Sequence, residues 1–388
     1  MAVLYVTEQG ARVNRKSERL LISKAGVLLR QEPLAKVEQL VLLGSVQITN
    51  AALRVCLRRG IDVALLTMGG KFLGSLTSGA SPHVTLRRDQ FRLLDDEARA
   101  LALARRFVAG KIANQRALLG RYQRSRQSES LARALVFLRL TGERLAGCRT
   151  VDEVRGFEGR ASAAYFEVFG ELIDAPDMAF HTRQRRPPPD PVNVLLSFGY
   201  TMLTNAMHGV VALAGLDPHF GALHALERGR ASLVLDLIEE LRPVIVDTTV
   251  LRAINTRMIT RRDFEDALES DEDEEEDELP ELLAEVVREP DAEADGVADG
   301  GGGSGGEPAG TGGDARGTGP RPQRRQVIFT PAGVRKWVSA VEQRMLVRAV
   351  YSPRDESLTY RQIMREQVYR LARHVRGEDE YEPYEWRW

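Results

Sequence analysis

The hydrophobic pattern along this chain changes its period near Leu86. Before it, short apolar runs at 3–7, 11–15, 19–23, 26–30, 37–43, 62–67 and 71–75 alternate with polar residues. Alternation with a period of two marks strands that bury one face. Gly10, Gly26, Gly60 and the Gly69-Gly70 pair stand where hairpins would turn, and one short helical pattern, at 50–59, interrupts the series. The spacing predicts an N-terminal all-β domain over 1–86. Beyond it, apolar residues recur every three or four positions, from 90 to about 126 and then at 131–145, 161–172, 191–213 and 232–241. The expected class is therefore α+β: an N-terminal all-β domain, then a larger, mostly α-helical domain over 87–388. No repeat of solenoid or propeller period is present.

With 388 residues and 43% hydrophobic content the chain can bury substantial cores. It has no apolar run long enough to span a membrane, and its first residues lack the basic, apolar and small-residue order of a secretion signal, so a cytoplasmic location is expected. Two cysteines, Cys56 and Cys148, leave no disulfide framework and no thiolate cage; a bound metal would need oxygen and imidazole ligands.

The net charge of −1 conceals an uneven distribution. Residues 271–325 hold seventeen Asp and Glu against five Arg, which leaves 49 basic and 38 acidic residues elsewhere, a net of +11. That segment opens with an acidic run, Asp271 to Glu278, and continues through glycine-rich stretches around Gly300 and Gly310. Such a composition predicts a disordered acidic and Gly-rich insert over 270–325. It would serve as an electrostatic mimic of nucleic acid or as a solvated insertion in a surface loop. Its glycines lack the lysine and preceding strand of a phosphate loop.

The stretch from Gly221 to Pro243 carries the most chemistry. With Ser232 as N-cap and Leu233, Leu237 and Leu241 at helical spacing, Asp236, Glu239 and Glu240 project as a carboxylate cluster, Asp236 and Glu239 on one face. A divalent cation completed by His224 from the preceding loop would relieve their repulsion; a solvated acidic face is the alternative. Glu158, among Gly156, Gly159, Ala161, Ala163 and Ala164, could be pressed into an interhelical site by close packing, or could serve as a dipole partner near a helix start. A histidine such as His224 is also readily accommodated as a packed or surface residue.

Several motifs in order resemble one family. Phe157-Glu158-Gly159 with Ala164-Tyr165-Phe166, Arg185-Arg186-Pro187-Pro188, Asp190-Pro-Val-Asn193, Gly215-Leu-Asp-Pro218, Leu223-His224 and the run from Arg230 through Asp236 and Glu239 to Pro243 are similar to the CRISPR adaptation integrase family, CRISPR-associated protein 1. The resemblance extends to the tail Tyr381 to Trp388 and omits only the insert. It implies that Glu158, His224 and Glu239 bind one Mn²⁺ or Mg²⁺, with Asp236 and Tyr165 as possible supporting groups. It also implies a homodimer formed mainly through the N-terminal domains and a heterohexamer with the small ferredoxin-like CRISPR-associated protein 2. The implied reaction is attack of a prespacer 3′-hydroxyl on a phosphodiester at the leader–repeat boundary of the array. This transesterification preserves bond number and needs no ATP.

Double-stranded DNA as substrate requires positive charge. Arg105, Arg106, Lys111, Arg116, Arg121, Arg124 and Arg126 populate the long helical stretch, and Arg183, Arg185, Arg186 and Arg230 lie near the expected site. Any one of them is equally compatible with a solvated face balanced by acids, and Tyr165 with a core position. A structure-specific repair endonuclease and a non-catalytic DNA-binding scaffold are the alternative functions.

Overall fold

The structure is a computed structural model that describes residues 2–77, 83–185, 187–225, 227–268, 325–351 and 353–387. The expected insert, up to residue 324, lies outside the described residues, as does Arg186.

The N-terminal strands form two four-stranded sheets. One has the order β1 (Ala2–Val6), β5 (Val37–Leu43), β7 (Asp62–Leu66), β8 (Phe72–Leu76); the other runs β4 (Val27–Pro33), β3 (Arg19–Lys24), β2 (Arg12–Lys16), β6 (Gln47–Ile48). Helix α1 (Asn50–Arg58), capped by Thr49, connects β6 to β7. Strand β5 shows why the period of two matters. Leu40 and Leu42 enter a core shared with Leu4, Val13, Leu20 and Val63, whereas Val41 and Leu43 face the helical core. The sheet of β1, β5 and β7 is thus buried on both sides.

Glycine positions foretold the turns only in part. Gly26 and Gly69-Gly70 do turn the β3–β4 and β7–β8 hairpins, but Gly10 links strands of different sheets and Gly60 follows a helix. The remaining neighbours in the first sheet, β1–β5 and β5–β7, pair in parallel, which no tight turn can connect. The β2–β3 hairpin turns without glycine, at Ser17 with φ 51°.

Among the described residues, seven α-helices follow before the insert: α2 (Val84–Leu94), α3 (Glu97–Arg126), α4 (Glu129–Arg144), α5 (Val151–Phe169), α6 (Pro191–Ala214), α7 (Ser232–Glu239) and α8 (Thr248–Asn255). The stretch expected to be continuous from 90 to 126 is broken at Asp95-Asp96, because the Asp96 carboxylate caps α3 by accepting from the backbone N–H of Ala98 and Arg99. Helix α5 begins ten residues earlier than its apolar pattern predicts, where the Thr150 hydroxyl accepts from Glu153 N–H. Ser232 is the first residue of α7, with Ala231 at the cap position, and its hydroxyl donates to the Ala225 carbonyl instead of capping. A π-helical turn, Arg242–Asp247, joins α7 to α8.

Strand β9 (Phe264–Leu268) pairs antiparallel with β10 (Arg325–Phe329), so that Leu268 and Arg325 lie opposite one another. The helix Pro331–Leu346, the hairpin β11 (Arg348–Tyr351) and β12 (Glu356–Thr359), and the helix Tyr360–Val375 complete the core. Among the described residues no helix is long and apolar enough to cross a membrane.

Candidate active site

Every residue of α7 is buried, its polar ones included. Asp236 is satisfied by the preceding loop: its carboxylate accepts from the backbone N–H of Ala222 (2.6 Å), Leu223 (3.0 Å) and His224 (2.9 Å), and from His224 Nδ1 at 2.7 Å. Only glycine fits at position 221, where a Cβ would lie 2.6 Å from Asp236 Oδ2 and 2.7 Å from the Ser232 backbone. With the carboxylate as acceptor, Nδ1 is the donating nitrogen of His224, and the other ring nitrogen, Nε2, is turned toward Glu239, 3.9 Å from its Oε1.

Helix α5 supplies the facing side. Glu158 is 7% exposed, and Ser162, one turn on, donates to its Oε1 at 2.9 Å. Helix α3 brings Lys111, whose ammonium pairs with Glu158 Oε1 and, at 2.7 Å, with Glu239 Oε2. Two carboxylates from separate helices therefore converge on one buried cation. Glu239 Oε1 is held by Arg242 at 3.0 Å. Among the described residues no three His, Cys, Asp or Glu side chains stand together as a ready metal cage.

Glu240 leaves this group. One residue on from Glu239 turns the side chain about 100° round the helix, and Glu240 accepts from Gln367 Nε2 (2.7 Å), Tyr381 OH (3.1 Å) and Tyr384 N–H (3.1 Å) on the opposite side. The expected three-carboxylate cluster is thus corrected to Asp236 and Glu239 on the site side. Burial pushes the Glu240 carboxyl up to about 8, against those hydrogen bonds.

On the other flank of Lys111 a small cavity of about 10 Å³, room for about one water, is lined by Lys111, Arg183, Arg185, Tyr200, Arg242 and Asp247 among others. Asp247 is 1% exposed and accepts from Tyr165 OH (2.8 Å) and Tyr200 OH (2.7 Å). Burial raises both tyrosine hydroxyls well above their ordinary range, which keeps them protonated donors, and pushes Asp247 up to about 6. The Arg242 guanidinium lies over the Tyr200 ring, 4.9 Å from its centroid.

Residues 4–272 match the family described as CRISPR associated protein Cas1. The chain belongs to the Cas1 family. Among similar proteins are the CRISPR-associated endonuclease Cas1 3 of Thermus thermophilus, 39% identical over 280 residues (69% of this chain and 78% of the relative), and Cas1 1 of Chlorobaculum tepidum, 39% identical over 268 residues (68% and 78%). In fold, the chain is similar to a CAS1 protein from Thermotoga maritima (18% identity, TM-score 0.72, 98% of both chains) and to a casposase bound to integration product (19%, TM-score 0.73, 99% of this chain and 93% of that one). The likeness of fold thus covers the C-terminal helices that the Cas1 family match, ending at 272, does not reach.

The expected DNA-facing basic residues of this Cas1-family chain divide by environment. Arg183 donates to Asn193 Oδ1 (2.8 Å), Gln184 O (3.1 Å) and Ser197 Oγ (3.0 Å), beside the cavity. Arg230 is buried and paired with Glu227 at 3.0 Å, inside the loop that follows His224 and not on an open face. On α3, Arg105 donates to the Cys148 carbonyl, Arg106 holds Glu380 and the Tyr381 carbonyl, and Arg126 pairs with Asp174, whereas Arg121 and Arg124 are exposed. Asp247, Tyr200 and the central place of Lys111 were missed by the sequence reading. A lone acid after the apolar Val244-Ile-Val246 was the only signal for the first.

Proposed function

We propose that this chain is a divalent-metal-dependent DNA nuclease and integrase of CRISPR spacer acquisition, joining DNA 3′-hydroxyl ends to the leader–repeat of the array by transesterification. The observation that carries this is the convergence of Glu158 and Glu239 on one cation, beside a histidine whose Nδ1 is held by Asp236. Two carboxylates and an imidazole are a donor set suited to Mn²⁺ or Mg²⁺, and a second carboxylate bonded to the other ring nitrogen is the usual support for a ligating histidine. Glu158, His224 and Glu239 would hold the ion. Bound there, it would favour loss of the attacking hydroxyl's proton and offset charge on the phosphate.

The protein's own groups do the rest. Asp236 fixes the angle of His224, while Lys111 and Arg242 balance the carboxylates and keep them apart. Tyr165, fully buried and bonded to Asp247, is proposed to support the site from behind, in keeping with the core position, rather than to orient a DNA strand. Arg183 and Arg185, beside the site, are proposed to meet backbone phosphates, as is Arg186, which lies outside the described residues; for Arg230, the Glu227 pair favours a role in shaping the His224 loop. Such phosphate contacts would make affinity fall with salt.

The 1–86 region is proposed to form the homodimer. Val27, Leu28 and Leu29 are exposed on β4, an edge strand with unpaired backbone groups, a combination that favours pairing with a second copy. Among structures of similar fold is a Cas6-RT-Cas1–Cas2 complex (20% identity, TM-score 0.74, 99% of this chain and 36% of that one), which supports CRISPR-associated protein 2 as partner.

The test mixes purified protein and the partner from its locus with a labelled prespacer and a plasmid carrying leader and repeat, in Mn²⁺ or EDTA. Metal-dependent joining at the repeat is expected, and His224→Ala is expected to lose it by roughly 100-fold or more while remaining dimeric. Cutting without joining would replace this reading with a repair nuclease, and binding without any product with a scaffold. Joining retained by His224→Ala would remove the metal assignment.

A further inference from the structure

Glu158 and Glu239 come from different helices, so the gap between them depends on what fixes α5 against the end of α7. Asp247 is a buried carboxylate that links the two sides: it is hydrogen-bonded to a tyrosine of α5, the helix that carries Glu158, and to a tyrosine of α6 that packs against the Arg242 holding Glu239. Its Oδ2 accepts from Tyr165, which stands seven residues after Glu158 and hence two turns along the same face of α5. Its Oδ1 accepts from Tyr200 of α6, whose ring carries the Arg242 guanidinium, and Arg242 in turn holds Glu239 Oε1. Both carboxylate oxygens are occupied, and Asp247 itself touches neither Glu158 nor Glu239.

We propose that Asp247 is a positioning residue for the carboxylate pair: through Tyr165 it sets Glu158, and through Tyr200 and Arg242 it sets Glu239, so that one buried acid fixes the separation of the two oxygen ligands. The π-helical turn is what makes this reach possible. Its wider winding carries Asp247 eight residues beyond Glu239 and back against α5 and α6. Ligand separation is the property that distinguishes small from larger divalent ions, since Mg²⁺ tolerates little departure from short, regular oxygen contacts while Mn²⁺ and Ca²⁺ accept more. Asp247 therefore bears on which ion the site accepts as well as on how tightly.

This inference rests on the metal reading above, and its test separates the two. Mn²⁺ binding to the DNA-free protein is titrated by electron paramagnetic resonance, with Mg²⁺ competition, for wild type, Asp247→Asn, Tyr200→Phe and Tyr165→Phe. Asparagine can accept at only one of its two positions, so one tyrosine hydroxyl is turned away. A tenfold or greater loss of Mn²⁺ affinity is expected in Asp247→Asn, with a larger loss for Mg²⁺. Each phenylalanine variant keeps the ring packing and should move in the same direction. The Tyr165→Phe/Tyr200→Phe double variant cuts both routes and should lose at least as much as Asp247→Asn, which cuts one.

Affinities and Mn²⁺/Mg²⁺ ratios within twofold of wild type in the folded variants would overturn the proposal, even if melting temperatures fell, since that is the outcome of a merely structural role. Should Asp247→Asn fail to fold, the two phenylalanine variants decide the matter alone. A wild-type protein that binds no Mn²⁺ would remove the metal reading and this inference with it.

Discussion

Lys111 stands between two buried carboxylates that would otherwise face each other with nothing to offset their repulsion. Removing one member of a buried ionic group costs more than the group contributes, about 3–5 kcal/mol, because the charges left behind stay desolvated. Lys111→Met should therefore unfold at a markedly lower temperature than wild type in EDTA. It should also show a larger upward shift on adding Mn²⁺, since a divalent ion restores the missing positive charge. Thermal unfolding with and without Mn²⁺ checks this, and equal shifts in the two proteins would count against it. In the sequence Lys111 is one of a run of basic residues, and nothing marks it out. Helix α3 packs against α2, α4, α5 and α7, so it has no single apolar stripe from which to infer that Lys111, Asn114 and Gln115 point inward. His224, Asp236 and Glu239 were legible because a single helix and its adjoining loop fix their relation. Glu158 was legible only through the surrounding motif, and its distance from Glu239 is a tertiary fact.

At the scale of elements, the strands of the first 76 residues other than the two-residue β6 follow from alternation, and α3 to α7 follow from apolar spacing, whereas α8 was not foreseen. Topology did not follow: the parallel neighbours β1, β5 and β7 depend on connections that local pattern does not encode, and β9 to β12 were not among the expected strands. The C-terminal segment illustrates what such long-range contacts do. Tyr381 and Tyr384 are fully buried against Glu240, and Asn114 of α3 donates to the Glu240 and Tyr384 carbonyls while accepting from Trp386 N–H. The segment thus clamps the back of α7, directly behind Glu239. Glu240 also gives this clamp a pH dependence. Its folded value of about 8 lies above the ordinary carboxyl value, so the folded protein keeps a proton that the unfolded chain releases, and stability falls as pH rises from about 5 through 8. The raised value of Asp247 acts in the same direction at lower pH, up to about 6. Melting temperature measured from pH 5 to 9 should decline up to about pH 8 and level off above it, and Glu240→Gln, whatever its absolute stability, should flatten that decline. An unchanged slope in the variant would show that Glu240 is ionised throughout.

For the molecule as a whole, the separation of charge matters more than its total. With the acidic segment set apart, the remainder carries a surplus of positive charge suited to a polyanion, and the exposed apolar residues of β4 sit at the far end of the second sheet order. Leu28→Asp, which puts charge on that edge, is expected to weaken self-association by tenfold or more without altering the melting temperature of the monomer. Light scattering across a concentration series reads this, and an undisturbed dimer would place the interface elsewhere.

The β9–β10 pair bears on how such a chain can change length. Leu268 and Arg325 are register partners, so whatever lies between them leaves and re-enters the fold at neighbouring points. The entropy of closing a loop between adjacent ends grows only with the logarithm of its length, about 0.6 kcal/mol for each doubling. Residues 269–324 could therefore be exchanged for a two-residue Asn-Gly turn, with a melting temperature equal to or slightly above wild type as the expected result. A large fall would mean that the segment contributes contacts of its own. The hairpin is in that sense a docking port: sequence of almost any size and charge can be gained or lost there in evolution, or spliced in by design, while the core on either side keeps its register.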